Sequence, residues 1–204
     1  MAVHTEAMRA TAEHTAALES KVRYLEDRLS RQESNAVANK IRITGIPNYP
    51  DENLGNIFKT ICETTNTETP KVLAIYRMQH KRGNKNKNKN GANDSSVIVC
   101  LQHENDKIKL LKSVSAFKRA NNCHLNLKNA GFDSDAYVYM NECLSTSNLK
   151  ILSAASSLKK EKKLFSVFTL RGLVHVKVHE DDRPFRVENL QSLVDATQAR
   201  PNEN

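Results

Sequence analysis

Between residues 6 and 38 the apolar positions recur every three and four residues, which is the spacing of a helix with one apolar seam. The seam consists of Leu18, Val22, Leu25 and Leu29. Charged residues flank it on both sides. We therefore expect residues 1–39 to form a parallel coiled coil of two or three copies of the chain. One amphipathic helix packed on its own domain is the alternative.

From residue 40 the apolar spacing alternates between that of strands and that of helices, in the order β-α-β-β-α-β. The predicted strands are KIRITG, KVLAIYRM, SVIVCLQ and HLNL. Two amphipathic helices, DENLGNIFKTICETT and HENDKIKLLKSVSAFKRA, separate them. This order is typical of the split βαβ arrangement. We therefore predict a domain over 40–128 that is like the RNA-recognition motif (RRM-like). A ferredoxin-like spacer is the alternative.

The segment between the second and third strands reads HKRGNKNKNKNGANDSS and is too polar and repetitive to pack. We expect a disordered basic loop over 80–96.

The remaining pattern predicts a small α+β domain over 129–196 and a disordered tail over 197–204. YVYMNE opens this domain, and a helix follows with Ser145 or Thr146 as its cap. Two β-rich runs then flank Arg171-Gly172, where a glycine suits a two-residue hairpin turn. The fold class predicted for the whole chain is therefore α+β.

The net charge of +8 is concentrated in two windows. Residues 71–93 contain seven basic residues and no acid, and residues 150–178 contain seven basic residues against Glu161 alone. Such windows indicate a polyanionic partner. No apolar amphipathic face lies beside them, so single-stranded RNA or DNA is favoured over a membrane surface.

Phosphate contacts are expected from the basic residues of both windows and of the first strand. They are Arg42, Arg77, Lys81, Arg82, Lys85, Lys159, Lys160, Lys162, Lys163, Arg171 and Lys177. The central strands KIRITG and SVIVCLQ contain no aromatic residue, which argues against base stacking on the sheet. Lysines at the end of a helix also favour its dipole, which is the structural alternative for the cluster near residue 160.

Catalytic, metal and cofactor sites are not expected. The chain has no GxxxxGK[ST], GxSxG or HExxH motif, and its four cysteines form no CxxC pair. We interpret the cysteines as reduced core thiols. Neither a signal peptide nor a membrane-inserted helix is predicted.

The segments YVYMNECLS, FSVFTLRGLVHVK and VENLQSL resemble the C-terminal domain of the baculovirus few-polyhedra (FP) proteins. KIRITGIP and AIYRM are similar to the first-open-reading-frame proteins of LINE retrotransposons. Both families combine a coiled coil, an RRM-like domain and a C-terminal domain. The short chain without zinc knuckles favours the viral family.

This resemblance implies a non-enzymatic, homo-oligomeric, nucleic-acid-binding viral protein inside the infected host cell, in the cytoplasm or nucleus. It also implies association with virions and nucleocapsid proteins and an influence on occlusion-body production. By position, Asn141 and Glu142 match a pair that we interpret as structural capping. Phe168 stands where relatives often carry Trp, and Lys177 where they often carry Arg. A structural adaptor of virus assembly, acting through protein contacts, is the alternative function.

Overall fold

The computed structural model describes residues 2–78 and 96–198. The helices are α1 (Ala2–Val37), α2 (Leu54–Thr64), α3 (Glu104–Asn121), α4 (Thr146–Lys160) and α5 (Leu190–Gln198). The strands are β1 (Lys40–Thr44), β2 (Val72–Arg77), β3 (Val97–Leu101), β4 (Tyr139–Glu142), β5 (Ser166–Leu170), β6 (Leu173–Lys177) and β7 (Phe185–Arg186). The predicted α+β class is confirmed. Apart from Ser96, the predicted basic loop lies outside the described residues, as does most of the predicted tail.

Helix α1 does not bury its apolar seam against its own chain. The exposed fractions of the four seam residues lie between 49% for Leu18 and 58% for Leu25. The helix ends two residues before β1, and the connection is fixed at Asn39. Leu101 N–H donates to Asn39 O at 3.0 Å, and the Asn39 amide donates to Leu101 O. The helix is thus joined to the first sheet by a short, hydrogen-bonded link.

The first sheet has the strand order β2-β3-β1-β4, and all neighbouring strands are antiparallel. Alternation along β1 places Ile41 and Ile43 in the core, next to Val97 and Val99 of β3. Phe58 of α2 is buried in the same core. Helices α2 and α3 therefore cover one face of the sheet, while the other face, which we call the open face, carries the alternate residues.

The predicted fourth strand, HLNL, is wrong, and so is the domain boundary after residue 128. Leu125 and Leu127 are buried in the first core, but their segment pairs only through one bridge, between Asn126 and Tyr137. The fourth strand is β4, which lies antiparallel to β1. The first core extends to Met140, and the second begins at Ile151. HLNL has the alternation of a strand, but the position beside β1 is taken by β4.

The second unit packs α4 and α5 against the sheet β5-β6-β7. Its predicted hairpin is confirmed, with Arg171 at φ 53° and Gly172 at φ 75° in the turn. Two positive φ values are typical of a type I′ turn, whose twist matches that of the strands. Ser145 is the predicted cap of α4, and its hydroxyl accepts from Asn148 N–H at 3.3 Å.

Glu142 connects the two units through a charged contact. Its carboxylate accepts the N–H of Gly172 in the hairpin turn. The same oxygen lies 3.6 Å from Lys107 Nζ, and the Lys107 side chain is completely buried. Glu104 supplies a second carboxylate, 3.8 Å from this ammonium. Lys107 Nζ makes no hydrogen bond with the described residues, so the two carboxylates compensate its buried charge.

Glu142→Gln should lower the free energy of unfolding by about 3 kcal/mol, because it keeps the shape at this position but leaves the buried ammonium with one distant partner. Urea denaturation of the full chain measures this loss. Adding Lys107→Met to Glu142→Gln should restore stability, because no buried charge then remains. A double variant as unstable as Glu142→Gln would show that the loss does not arise from Lys107.

Candidate nucleic-acid interface

Five predicted lysines lie at one end of the second unit, which we call the lysine end. They are Lys159, Lys160, Lys162, Lys163 and Lys177. The first four are exposed at the C-terminus of α4. Lys177 joins them because Phe165, two residues after Lys163, donates its N–H to Lys177 O at 2.9 Å. The lysine end therefore combines a helix terminus with the outer end of the hairpin.

The backbone of the lysine end is a Schellman motif. Lys162 N–H donates to Lys159 O at 3.0 Å, and Lys163 N–H donates to Leu158 O at 2.9 Å. Lys162 occupies the left-handed position of the motif, at φ 60°. Glycine usually holds this position because it has no side chain to strain. A lysine at this position is strained by its side chain, and it adds a positive charge where the chain reverses.

The lysine end has one ion pair of its own and lies beside an acidic turn at residues 180–182. Glu161 is the one acid within 150–178, and its carboxylate lies 2.8 Å from Lys163 Nζ. Both side chains are more than half exposed, and such surface pairs are weak. Lys177 Nζ donates to the carbonyl of Glu180 at 2.6 Å and lies 5.9 Å from the Phe165 ring centroid. The lysine end therefore presents several ammonium groups to solvent.

Arg171 lies in the hairpin turn, at the opposite end of the strands from the lysine end. A five-residue strand spans about 17 Å, so the second basic window forms two surfaces rather than one. Arg171 lines a cleft of about 570 Å³ between α3 and the hairpin. Lys112 and Arg119 of α3 line the same cleft together with Glu142, and its apolar wall includes Leu170. We call this surface the cationic cleft.

Arg77 is not available for phosphates, so the contact predicted for it is wrong. Its Nε and Nη2 donate to the carboxylate of Glu52, and its side chain is only 11% exposed. Further bonds connect it to Ile46 O at 3.1 Å and Pro47 O at 2.6 Å. The hydrogen bond from Arg77 holds the pKa of Glu52 below its ordinary value. Arg77 is therefore part of the internal structure.

Arg42 lies on the open face of the first sheet, apart from both other cationic surfaces. Its Nε donates to Ser96 Oγ at 2.9 Å, and its remaining donors make no hydrogen bond with the described residues. Lys81, Arg82 and Lys85 lie outside the described residues. The predicted set is therefore divided between the lysine end, the cationic cleft and the open face.

Sequence reasoning missed Lys112 and Arg119, because α3 also carries acids and forms no basic window. It also missed Tyr76 and Tyr139, which belong to the outer strands of the first sheet. Register with Ile98 and Thr44 places these tyrosines on the open face. A strand-by-strand assignment of faces would have found them, had the fourth strand been identified.

The four free cysteines differ in burial. Burial is the main reason that the pKa values of Cys62 and Cys143 are both raised to about 11, so these thiols stay protonated at neutral pH. Cys123 is exposed, which corrects its assignment to the core. Within 2–78 and 96–198 no three His, Cys, Asp or Glu side chains are grouped to hold a metal. No helix in these ranges could cross a membrane.

No protein-family profile and no curated protein matches this sequence.

The backbone of both cationic surfaces allows charge to be removed without loss of structure. Lys162→Gly should raise the free energy of unfolding by about 1 kcal/mol or less, because glycine relieves the left-handed strain. Arg171→Asn should leave stability within about 0.5 kcal/mol of the wild type, since Asn-Gly suits a type I′ turn. Chemical denaturation measures both.

Lys163→Gly is the matched control for Lys162→Gly. Lys163 has no positive φ, so glycine there relieves no strain, adds flexibility to the unfolded chain and removes the weak pair with Glu161, and it should destabilise the protein. Equal effects of the two substitutions would contradict the assignment of strain to Lys162.

Proposed function

We propose that this chain is an oligomeric, non-enzymatic nucleic-acid-binding protein that holds single-stranded RNA or DNA through its phosphates. The lysine end carries the proposal. Four of its lysines are exposed and closely grouped at the helix end, Lys177 lies half-buried beside them, and Glu161 is the one acid within 150–178. A site that recognises the sugar-phosphate backbone needs this arrangement and no catalytic group.

The cationic cleft supports the same function at a second position. Lys112, Arg119 and Arg171 come from two different units and border one cavity. A chain that contacts both the cleft and the lysine end would follow the hairpin along its length. A flexible single strand can adopt that path.

The first domain fits the proposal as an RRM-like unit. Its four antiparallel strands leave one face uncovered by helices, with Arg42 exposing donors on that face. In the viral context suggested by the resemblance to FP proteins, the protein would act inside the infected cell. There it would associate with virions and influence occlusion-body production.

Self-association through α1 completes the proposal. Its seam is half exposed in the single chain, so a parallel partner would bury apolar surface there. Two or three linked copies would place several cationic surfaces on one nucleic-acid strand and raise the affinity through effective concentration. The same seam supports the alternative function, a structural adaptor of virus assembly that binds nucleocapsid proteins.

Binding of labelled single-stranded RNA should weaken with salt, with a slope of log K against log salt near −3 or steeper, which corresponds to about four or more phosphates. The triple variant Lys160→Gln, Lys162→Gly, Lys163→Gln should reduce the magnitude of this slope by about 2. Fluorescence anisotropy at several salt concentrations measures both.

Lys59→Gln, which neutralises an exposed lysine on α2, serves as the control and should leave the slope unchanged. Absence of binding, or binding indifferent to salt, would leave the adaptor as the function.

Replacing Leu18 and Leu25 with Asp should convert the full chain to monomers, because each substitution places a carboxylate in the seam. Analytical ultracentrifugation measures the mass. Tyr24→Asp is the matched control, since Tyr24 is 61% exposed on the same helix but outside the seam. If the wild type is already a monomer at micromolar concentration, the coiled coil is wrong.

A further inference from the structure

Strand β4 carries aromatic rings on the open face of the first sheet. Tyr139 lies opposite Thr44, and Asn141 lies opposite Arg42. The alternate residues of β4, Met140 and Glu142, turn toward the core side. Tyr137 precedes the strand with the same alternation as Tyr139, so both rings are on the open face.

Three rings form one cluster at this edge, which we call the aromatic platform, and its two tyrosines are exposed. The ring centroid of His124 lies 5.6 Å from that of Tyr137 and 5.7 Å from that of Tyr139. The two tyrosine centroids are 6.3 Å apart, and their ring planes are inclined by 58°. Tyr137 is 57% exposed and Tyr139 is 45% exposed. Within the described residues, a flat ligand can therefore reach both tyrosine rings.

The backbone holds the platform in place. Val138, between the two tyrosines, is buried, and its N–H donates to Leu125 O at 2.8 Å. Gly45, at φ 91°, passes so close to Tyr137 that a Cβ on residue 45 would lie 2.2 Å from Tyr137 O. The close approach of these two segments requires glycine at position 45. The backbone that carries the two tyrosines is thus held in place before any ligand binds, which lowers the cost of binding.

The strands of the open face offer cations and no acid beside the platform. The polar and charged side chains that they present are Lys40, Arg42, Thr44, Tyr76, Tyr139 and Asn141. Tyr76, 44% exposed on β2, lies about 14 Å across the sheet from β4, three strand spacings away. The carboxylate of Asp135, near Tyr137 in sequence, is paired with Lys128 Nζ at 2.8 Å. The chemistry of this face suits flat rings joined by an anionic chain.

We propose that the aromatic platform of His124, Tyr137 and Tyr139 stacks the unpaired bases of a single-stranded nucleic acid, whose phosphates are bound by Arg42. This inference rests on the proposed function and adds recognition of bases to that of phosphates. Base stacking on the platform selects single strands, because the bases of a duplex are stacked on each other and their faces are not accessible. The rings come from the outer strand β4, so the absence of aromatics in β1 and β3 does not prevent stacking.

The test compares two labelled oligonucleotides of equal length, one a single strand of pyrimidines and the other an abasic strand with the same phosphates. Wild-type full chain should bind the pyrimidine strand at least about fivefold more tightly, since stacking on one aromatic ring contributes that much or more. Tyr137→Leu with Tyr139→Leu should remove this preference and leave affinity for the abasic strand unchanged.

Tyr137→Phe with Tyr139→Phe keeps the rings and should keep the preference, while Tyr24→Leu on α1 controls for loss of an exposed tyrosine. The chain has no Trp, so quenching of tyrosine emission by the pyrimidine strand gives a second readout. Equal wild-type affinity for both strands would overturn the platform and leave phosphate binding standing. An equal loss for both strands in the leucine variant would also overturn it. If the wild type binds neither strand, the proposed function fails as well.

Discussion

The carboxylate of Glu142 fixes the arrangement on which both the cleft and the platform depend. It compensates the buried ammonium of Lys107 from α3 and accepts the N–H of Gly172 from the hairpin. A buried ammonium is costly without such a partner, so the sheet, α3 and the hairpin are held at one point. β4 also presents Tyr139 to the opposite face. A four-residue strand therefore joins the two units on one side and offers a ring to solvent on the other.

Positive charge serves different purposes at different places in this chain. The guanidinium of Arg77 donates hydrogen bonds to Glu52 and to two backbone carbonyls, and Lys107 is buried near two carboxylates. The lysine end instead leaves most of its ammonium groups in water, where interactions with neighbouring side chains stabilise the fold only weakly. Burial and partners distinguish these roles, and a count of basic residues does not. Net charge alone therefore overstates the surface available to a polyanion.

Local chemistry explains which parts of the fold were predictable from sequence. The hairpin followed from Arg171-Gly172 and its flanking β-rich runs, and α1 followed from its apolar spacing. The fourth strand was misplaced because Leu125 and Leu127 alternate as a strand does, while pairing with β1 depends on distant residues. The burial of Lys107 was equally hidden, since Glu142 lies far along the chain. At the candidate site, the lysine end was predictable, whereas the cationic cleft and the aromatic platform arise only when separate segments meet.

Because the link between α1 and β1 is short, the length of α1 determines how the rest of the chain is rotated about the axis of this helix. Val37 ends the helix, and Asn39 is already hydrogen-bonded to the end of β3. The two-residue link is too short to compensate for a change in helical phase. One residue inserted into α1 would turn everything that follows by about 100° around the helix axis, while seven would nearly restore the original direction. Under the proposed self-association through the seam of α1, natural variation in the length of this helix should therefore occur in whole heptads.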